Sequence, residues 1–239
     1  MLRQNILISI YCATFATTAY SQNPEAVNAD QRSSYLGIDA GISDPLQHKF
    51  KDKKSGTKLS LKKSTNYSAR IGYSFYPQMA LELSSSYQPK YNLGYTLPAI
   101  PNLPIMFGKT KVGSQIYSLN LVYDLKDYDG FTPYVGGGIG LARILTKPAN
   151  SSLMDQDFFR IKKDKSNFFA WQAKIGILKN ISNDLSFNLT GQLQVVQNIK
   201  INYETINMMT GKFNPGTVKK TIGAYELSAG LVYKIPYKG

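Results

Sequence analysis

Cysteine is nearly missing from this chain: Cys12 is the single one, and it lies near the N-terminus. The chain therefore offers no disulfide, no cysteine-ligated zinc and no cysteine nucleophile once that segment is set aside. Attachment of a lipid at Cys12 is disfavoured, because bulky Tyr11 stands where a small residue is needed. Histidine is equally scarce, with His48 alone. One histidine beside Gln47 and Lys49 reads as a solvated loop residue; it cannot assemble a histidine-rich metal site, and no metal or other cofactor is expected. Long apolar runs are absent after residue 22, which excludes helical membrane spans of about 18 residues or more. Acid is in short supply as well: 28 Lys and Arg face 15 Asp and Glu, for a formal charge of +13.

The N-terminus has the composition of an export signal. Met1-Leu2-Arg3 gives a positive start, Ile6 to Ala16 is mostly apolar, and Ala19-Tyr20-Ser21 places small residues at a cleavage site before Gln22. The expected organisation is a signal peptide at 1–21, a short polar segment at 22–34, a barrel at 35–235 and a tail at 236–239. Export excludes nucleic acid as the acidic partner that so basic a chain invites.

What the remainder does contain is alternation with period two, the pattern of strands with one apolar face. Eight segments show it: Tyr35–Ile42, Tyr67–Phe75, Met79–Tyr87, Gln115–Leu125, Thr132–Ile144, Phe168–Leu178, Asp184–Val195 and Ile222–Ile235. In the first, Leu36, Ile38, Ala40 and Ile42 oppose Tyr35, Gly37, Asp39 and Gly41. In the last, Tyr225, Leu227, Ala229, Leu231 and Tyr233 oppose Glu226, Ser228, Gly230 and Lys234. Links of about three to six residues join the second to third, fourth to fifth and sixth to seventh segments. The other four links exceed about twenty residues and alternate with the short ones, as tight periplasmic turns and long surface loops do in an outer-membrane barrel. The reading is an all-β, eight-stranded antiparallel transmembrane β-barrel. A soluble lipocalin-like barrel or sandwich is the alternative, because alternation alone does not say which face points inward.

Three stretches carry a resemblance. Pro133 followed by Tyr134-Val-Gly-Gly-Gly-Ile-Gly140, then Phe169-Ala-Trp-Gln-Ala-Lys-Ile-Gly176, and the closing Tyr225-Glu-Leu-Ser-Ala-Gly-Leu-Val-Tyr-Lys-Ile235 resemble small OmpA-type outer-membrane barrels, above all rickettsial surface-antigen and adhesin barrels. The resemblance implies an outer-membrane location and a role in contact with host cells.

No chemistry competes with that reading. The run Gly136 to Gly140 lacks the spacing and the Lys-Ser/Thr partner of a phosphate loop, so Gly136, Gly138 and Gly140 read as inward positions that make room in a narrow bore. An enzyme is not expected. Asp39, Arg70, Glu82, Lys174, Glu226 and Lys234 fall on the polar face, where paired charges would plug the lumen; a narrow ion path is the other possibility.

The positive charge is unevenly placed. Residues 43–66 carry +5, with Lys49, Lys51, Lys53, Lys54, Lys58, Lys62 and Lys63. Residues 88–113 carry +3, including Lys109 and Lys111. Residues 145–166 carry +2, with Arg160, Lys162, Lys163 and Lys165, and residues 196–220 carry +3, including Lys219 and Lys220. The short turns sum to about zero. Two partners fit such a rim: phosphates of surrounding lipopolysaccharide, and an acidic host surface protein or glycan bound in adhesion.

Overall fold

The computed structural model describes residues 33–51, 58–96, 107–146, 149–153, 156–161, 164–206 and 213–235. The expected signal peptide and C-terminal tail lie outside these. Twelve strands follow in chain order: β1 (Ser33–Pro45), β2 (Lys49–Lys51), β3 (Lys58–Leu61), β4 (Ser64–Tyr76), β5 (Met79–Thr96), β6 (Phe107–Asp124), β7 (Phe131–Thr146), β8 (Ala149–Leu153), β9 (Gln156–Ile161), β10 (Asp164–Asn180), β11 (Leu185–Ile206) and β12 (Phe213–Ile235). Eight of them pair antiparallel in the ring β1-β4-β5-β6-β7-β10-β11-β12. The ring shuts where β12 returns to β1, from Ser34 opposite Ile235 to Pro45 opposite Ala224. The remaining strands extend the long-link end: β2 pairs with β3, β3 with β5, and β8 with β9, which joins β11.

Exposure decides which face points inward. On β1, Ile38 is 64% exposed while its neighbour Asp39 is 7% exposed. Leu83, Leu119, Ile139, Ile175, Leu189 and Leu227 lie outside in the same way, around the whole ring. The apolar faces look outward and the polar faces look into the bore, which sets aside the soluble alternative. Aromatic residues flank this outer band: Tyr67, Tyr87, Tyr117, Phe169 and Tyr225 toward the long links, and Tyr73, Tyr76, Tyr123, Tyr128, Phe131 and Tyr233 toward the short turns.

The strands run further than periodicity predicts, most of all at the long-link end; at the other end β1 gains Ser33 and Ser34, and β4, β7 and β10 gain one or two residues each. β5 continues past Tyr87 to Thr96, and β6 starts at Phe107 rather than Gln115. β11 and β12 reach Ile206 and Phe213, so much of each predicted long loop is paired strand. The expected signal weakens there because the sides exchange roles. Leu61, Leu93, Val112, Ile116, Ile144, Val196 and Ile199 turn inward and form an apolar core, while Lys111, Lys200, Lys219 and Lys220 face outward and are exposed. Beyond the hydrocarbon region the barrel packs as a soluble protein does. Bulges between Gln88 and Tyr91 and between Val196 and Ile199 mark the changeover on β5 and β11.

The turn after β6 is built by its residues. Asp129 (φ 55°) and Gly130 (φ 74°) both adopt left-handed backbone, and Tyr128 and Phe131 exchange backbone bonds of 2.9 and 3.0 Å. This is the two-residue turn whose twist suits a hairpin. Asp127 Oδ1 accepts from the Gly130 amide at 2.9 Å, and Oδ2 accepts from the Thr132 hydroxyl at 2.8 Å. These bonds hold the exposed Asp127 carboxyl below the usual carboxylate range.

Two outcomes are expected. A Cβ on inward Gly138 would collide with Asn120 Oδ1 and the Leu119 carbonyl, whereas one on outward Gly137 meets only the Gln172 carbonyl at 3.5 Å. Gly138→Ala should lose about 1–3 kcal/mol in urea unfolding from lipid vesicles, with Gly137→Ala nearly neutral; equal losses would contradict the assignment of faces. Because the Asp127 pKa is lower folded than unfolded, its contribution is present above the ordinary carboxylate range and lost as pH falls through the depressed value. Unfolding of Asp127→Asn should accordingly depend less on pH in the acid range than unfolding of the unsubstituted chain.

Candidate functional site: the bore and the basic rim

Period-two geometry brings residues from all eight ring strands into the bore as stacked layers. The lowest, toward the short turns, is apolar with polar tips: Ala80, Val122 and Tyr134, with Tyr35 and Leu178 against them. Above it lies a charge-balanced group of two acids and two bases. Arg70 on β4 grips Asp39 on β1 with Nη1 and Nη2, each at 3.3 Å. Its Nε stands 3.7 Å from Glu82 Oε2 on β5. Lys174, on β10 across the bore, donates to Glu82 Oε1 at 2.5 Å. Neutral donors complete both carboxylates. Asn188 Nδ2 (2.6 Å) and Ser68 Oγ (3.2 Å) donate to Asp39, while the Tyr35 hydroxyl and Asn120 Nδ2 donate to Glu82 at 3.1 Å each. The Tyr134 hydroxyl ties Asn188 Oδ1 (2.9 Å) to Thr190 Oγ1 (2.5 Å) from the far wall.

The next layer centres on Glu226, which is 4% exposed. Its carboxylate accepts from Asn66 Nδ2 (2.8 Å), Ser43 Oγ (3.2 Å), Gln192 Nε2 (3.4 Å) and Gln88 Nε2. Glutamines then bridge the layers: Gln88 donates to Gln194 (3.1 Å), Gln194 to Gln172 (3.3 Å), and Gln172 to Asn120 (2.6 Å). Full satisfaction matters in such a place, since an uncompensated buried charge costs several kcal/mol.

Five of the six charges assigned to the interior thus sit buried in the bore. Lys234 does not: it shares their inward register, opposite Tyr35, but is exposed. It occupies the end of β12, where the bore opens to water and a cation keeps its hydration. The amides and tyrosines that complete the layers were on the polar face in the sequence without standing out. Parity with Asp39 for Tyr35, and with the inward glycines for Tyr134, is the signal that places them.

At the opposite end lies the rim. Lys49, Lys58, Lys62, Lys63, Lys111, Lys219 and Lys220 are exposed there. Lys51, Lys109, Arg160 and Lys165 stand at the same end on β2, β6, β9 and β10; Lys53, Lys54, Lys162 and Lys163 fall outside the described residues. Lys63 is partly neutralised by Asp44, with Nζ 3.0 Å from Oδ2. His48 is exposed beside the same carboxylate, at 3.6 Å, and its Nδ1 lies 3.4 Å from the Leu61 carbonyl.

Charge balance in the bore yields a double-substitution test. Lys174→Met leaves Glu82 short of its closest cation and should cost about 3–5 kcal/mol of unfolding free energy. Adding Glu82→Gln restores neutrality around the Arg70–Asp39 pair and should recover at least half of that loss. Strictly additive losses in urea unfolding would mean that the two side chains are not coupled.

The comparisons with known proteins agree with this geometry. The chain matches the outer membrane protein beta-barrel domain family over residues 11–234. It is 38% identical over 179 residues to an uncharacterized protein of Rickettsia prowazekii, covering 72% of this chain and 99% of that protein. Outer membrane protein PagN of Salmonella typhimurium is 29% identical over 143 residues, 54% of this chain and 58% of PagN. Among solved structures, the outer membrane protein OprG of Pseudomonas aeruginosa aligns with a TM-score of 0.56 at 15% identity, covering 86% of this chain and 98% of OprG, a likeness of fold. A closed eight-stranded ring, an apolar outer band between aromatic belts and a polar interior are what such a family requires, and the chain belongs to it: this is a β-barrel of the bacterial outer membrane.

Proposed function

We propose that the barrel is an adhesin: it holds a basic rim at the cell surface, and that rim captures anionic glycans or acidic protein segments on a host cell. The observation that carries this reading is the asymmetry of charge. The four long links together hold the equivalent of the whole formal excess of +13. They rise from one end of the barrel, and among the described residues eight of their lysines, Lys200 included, are exposed there. Lysine clusters of this kind accelerate encounter with anionic surfaces and attract them over about 8 Å at physiological salt, with little selectivity for sequence. The buried, paired bore supports binding rather than conduction, for an eight-stranded bore has room for little beyond its own side chains. In this reading Asp39, Arg70, Glu82, Lys174 and Glu226 act as a plug that stiffens the platform under the rim.

The test is binding of the folded barrel to immobilised heparin and to host-cell surface protein across a salt series. Lys49, Lys58, Lys62, Lys219 and Lys220 changed together to Gln should weaken binding by about tenfold at low salt and flatten its salt dependence. Unchanged binding would overturn the proposal. Loss confined to vesicles containing lipopolysaccharide would overturn it too, and would reassign the lysines to the surrounding lipid phosphates.

A further inference from the structure

β12 begins at Phe213, whereas its neighbour β1 ends at Pro45, which lies opposite Ala224. Leu46 adds one backbone bond, donated to the Gly223 carbonyl at 2.9 Å. Beyond Gly223, β12 keeps β11 on one side, from Val196 opposite Ile222 to Ile206 opposite Phe213. On its other side no described strand pairs with it there. Backbone groups of a strand alternate between its two edges. Since Gly223 turns its carbonyl toward the β1 side, Thr221, Lys219 and Thr217 direct both N–H and C=O to the open edge, and Pro215 directs its carbonyl there. A proline suits a strand where its missing N–H is not called for, which is such an edge. All four residues are exposed.

The charge beside this edge is one-sided. Lys219 stands directly opposite Lys200 on β11, and both are exposed. Like charges directly opposed across a ladder are unfavourable. Glu204, the one acid within residues 197–206 and 213–222, is paired with Pro215 farther toward the tip. The Thr217 hydroxyl donates to Asn202 Oδ1 at 2.9 Å, and the Asn198 amide donates to Thr221 Oγ1 at 3.4 Å, so β11 holds the edge in place from behind.

We infer that this edge takes up one further strand, an extended acidic segment of a partner protein, laid antiparallel along residues 215–221 with a carboxylate beside Lys219 and Lys200. The inference rests on the adhesive reading of the rim and narrows it to protein segments. In strand addition the main-chain bonds supply affinity, and side chains at alternate positions supply the choice of partner. Here the lysines choose by sign. A second copy of the barrel brings the same Lys219 to the edge and is repelled, which is how lysine guards an exposed strand against its own kind. A carboxylate between Lys219 and Lys200 relieves their repulsion instead. A sulfated glycan would answer the charge but leave the row of Thr217, Lys219 and Thr221 amides to water, so the amides favour a peptide.

The experiment titrates the full chain, folded in lipid nanodiscs, with acetyl-Glu-Val-Glu-Val-Glu-Val-Glu-amide and with two versions of it, N-methylated at the glutamates or at the valines. The three carry one charge and differ only in which peptide edge can donate. In an antiparallel pair the residue facing Lys219 exchanges both bonds with it and shares its face, so the glutamates carry the pairing amides. Methylation at valine should leave the affinity within about twofold, and methylation at glutamate should weaken it at least about tenfold. Amide exchange at Thr217, Lys219 and Thr221 should slow on binding, while that at Lys220 and Ile222, which point to β11, should not change. Thr217→Pro removes an edge donor where Pro215 already shows proline to fit, and should weaken the unmethylated peptide by about tenfold. Equal or reversed affinities of the two methylated peptides overturn the inference, a comparison that needs no variant to fold. Heparin offers no peptide backbone, so its salt-dependent retention reports on the basic rim alone. Retention together with equal peptide affinities strikes the added strand and leaves adhesion standing; failure to retain either heparin or peptide strikes both.

Discussion

A backbone amide in hydrocarbon has no water to turn to, and this constraint shapes every other feature of the molecule. Each strand that crosses the bilayer must find all its hydrogen bonds in its two neighbours, so an open edge is intolerable. The pairing of β1 with β12, continuous from Ser34–Ile235 to Pro45–Ala224, removes the last edge. Closure in turn dictates the side chains. With eight strands the bore is narrow, so Gly136, Gly138 and Gly140 give way to Lys174, Asn120 and Ser118 from the neighbouring strands. The charges enclosed with them must be matched within the bore, as Arg70 and Lys174 match Asp39 and Glu82.

The same strands obey opposite rules at different heights. Within the band flanked by tyrosines, β6 sends Leu119 and Leu121 outward and keeps Ser118 and Asn120 inside. A few residues toward the rim, it sends Lys111 outward and buries Val112 and Ile116. On β6 no shift of inward parity accompanies the reversal, whereas the bulges on β5 and β11 shift theirs; outside, the solvent changes from lipid to water. The amide-rich layer around Glu226 lies at the join, between a balanced ionic layer and an apolar cavity. This sequence of layers explains how a bore with several charges can also contain a greasy compartment.

Much of this was legible before any coordinates. The strands inside the band announce themselves because lipid on one side and a packed bore on the other impose strict period two, as in Leu36 to Ile42. The Asp127–Gly130 turn is equally readable, since Asp-Gly at a two-residue hairpin is a local signal. What escaped was non-local. The continuation of β11 to Ile206 carries no lipid-facing apolar row, and its pairing with β12 and β9 is what shows that it is strand. Lys234 has the parity of an interior residue, and height along the bore, which parity does not encode, leaves it in water. Which carboxylate meets which cation depends on shear between strands far apart in sequence: Glu82 and Lys174 are 92 residues apart. The location of the charge excess at one end needed only counting, and it remains the firmest link between sequence and the proposed adhesion.

The barrel depends on the apolar face of its cylinder meeting lipid, and the chain carries its own probe of that contact. Trp171 is the single tryptophan, placed on the outer face of β10 opposite Ile139 and Val195. Fluorescence of the folded chain in vesicles of brominated phospholipid measures the contact directly. Strong quenching by bromine on the acyl chains, with little quenching by aqueous iodide, is the expected result. Iodide quenching that persists while brominated lipid has no effect would place Trp171 in water, and an outer surface in water contradicts the barrel described here.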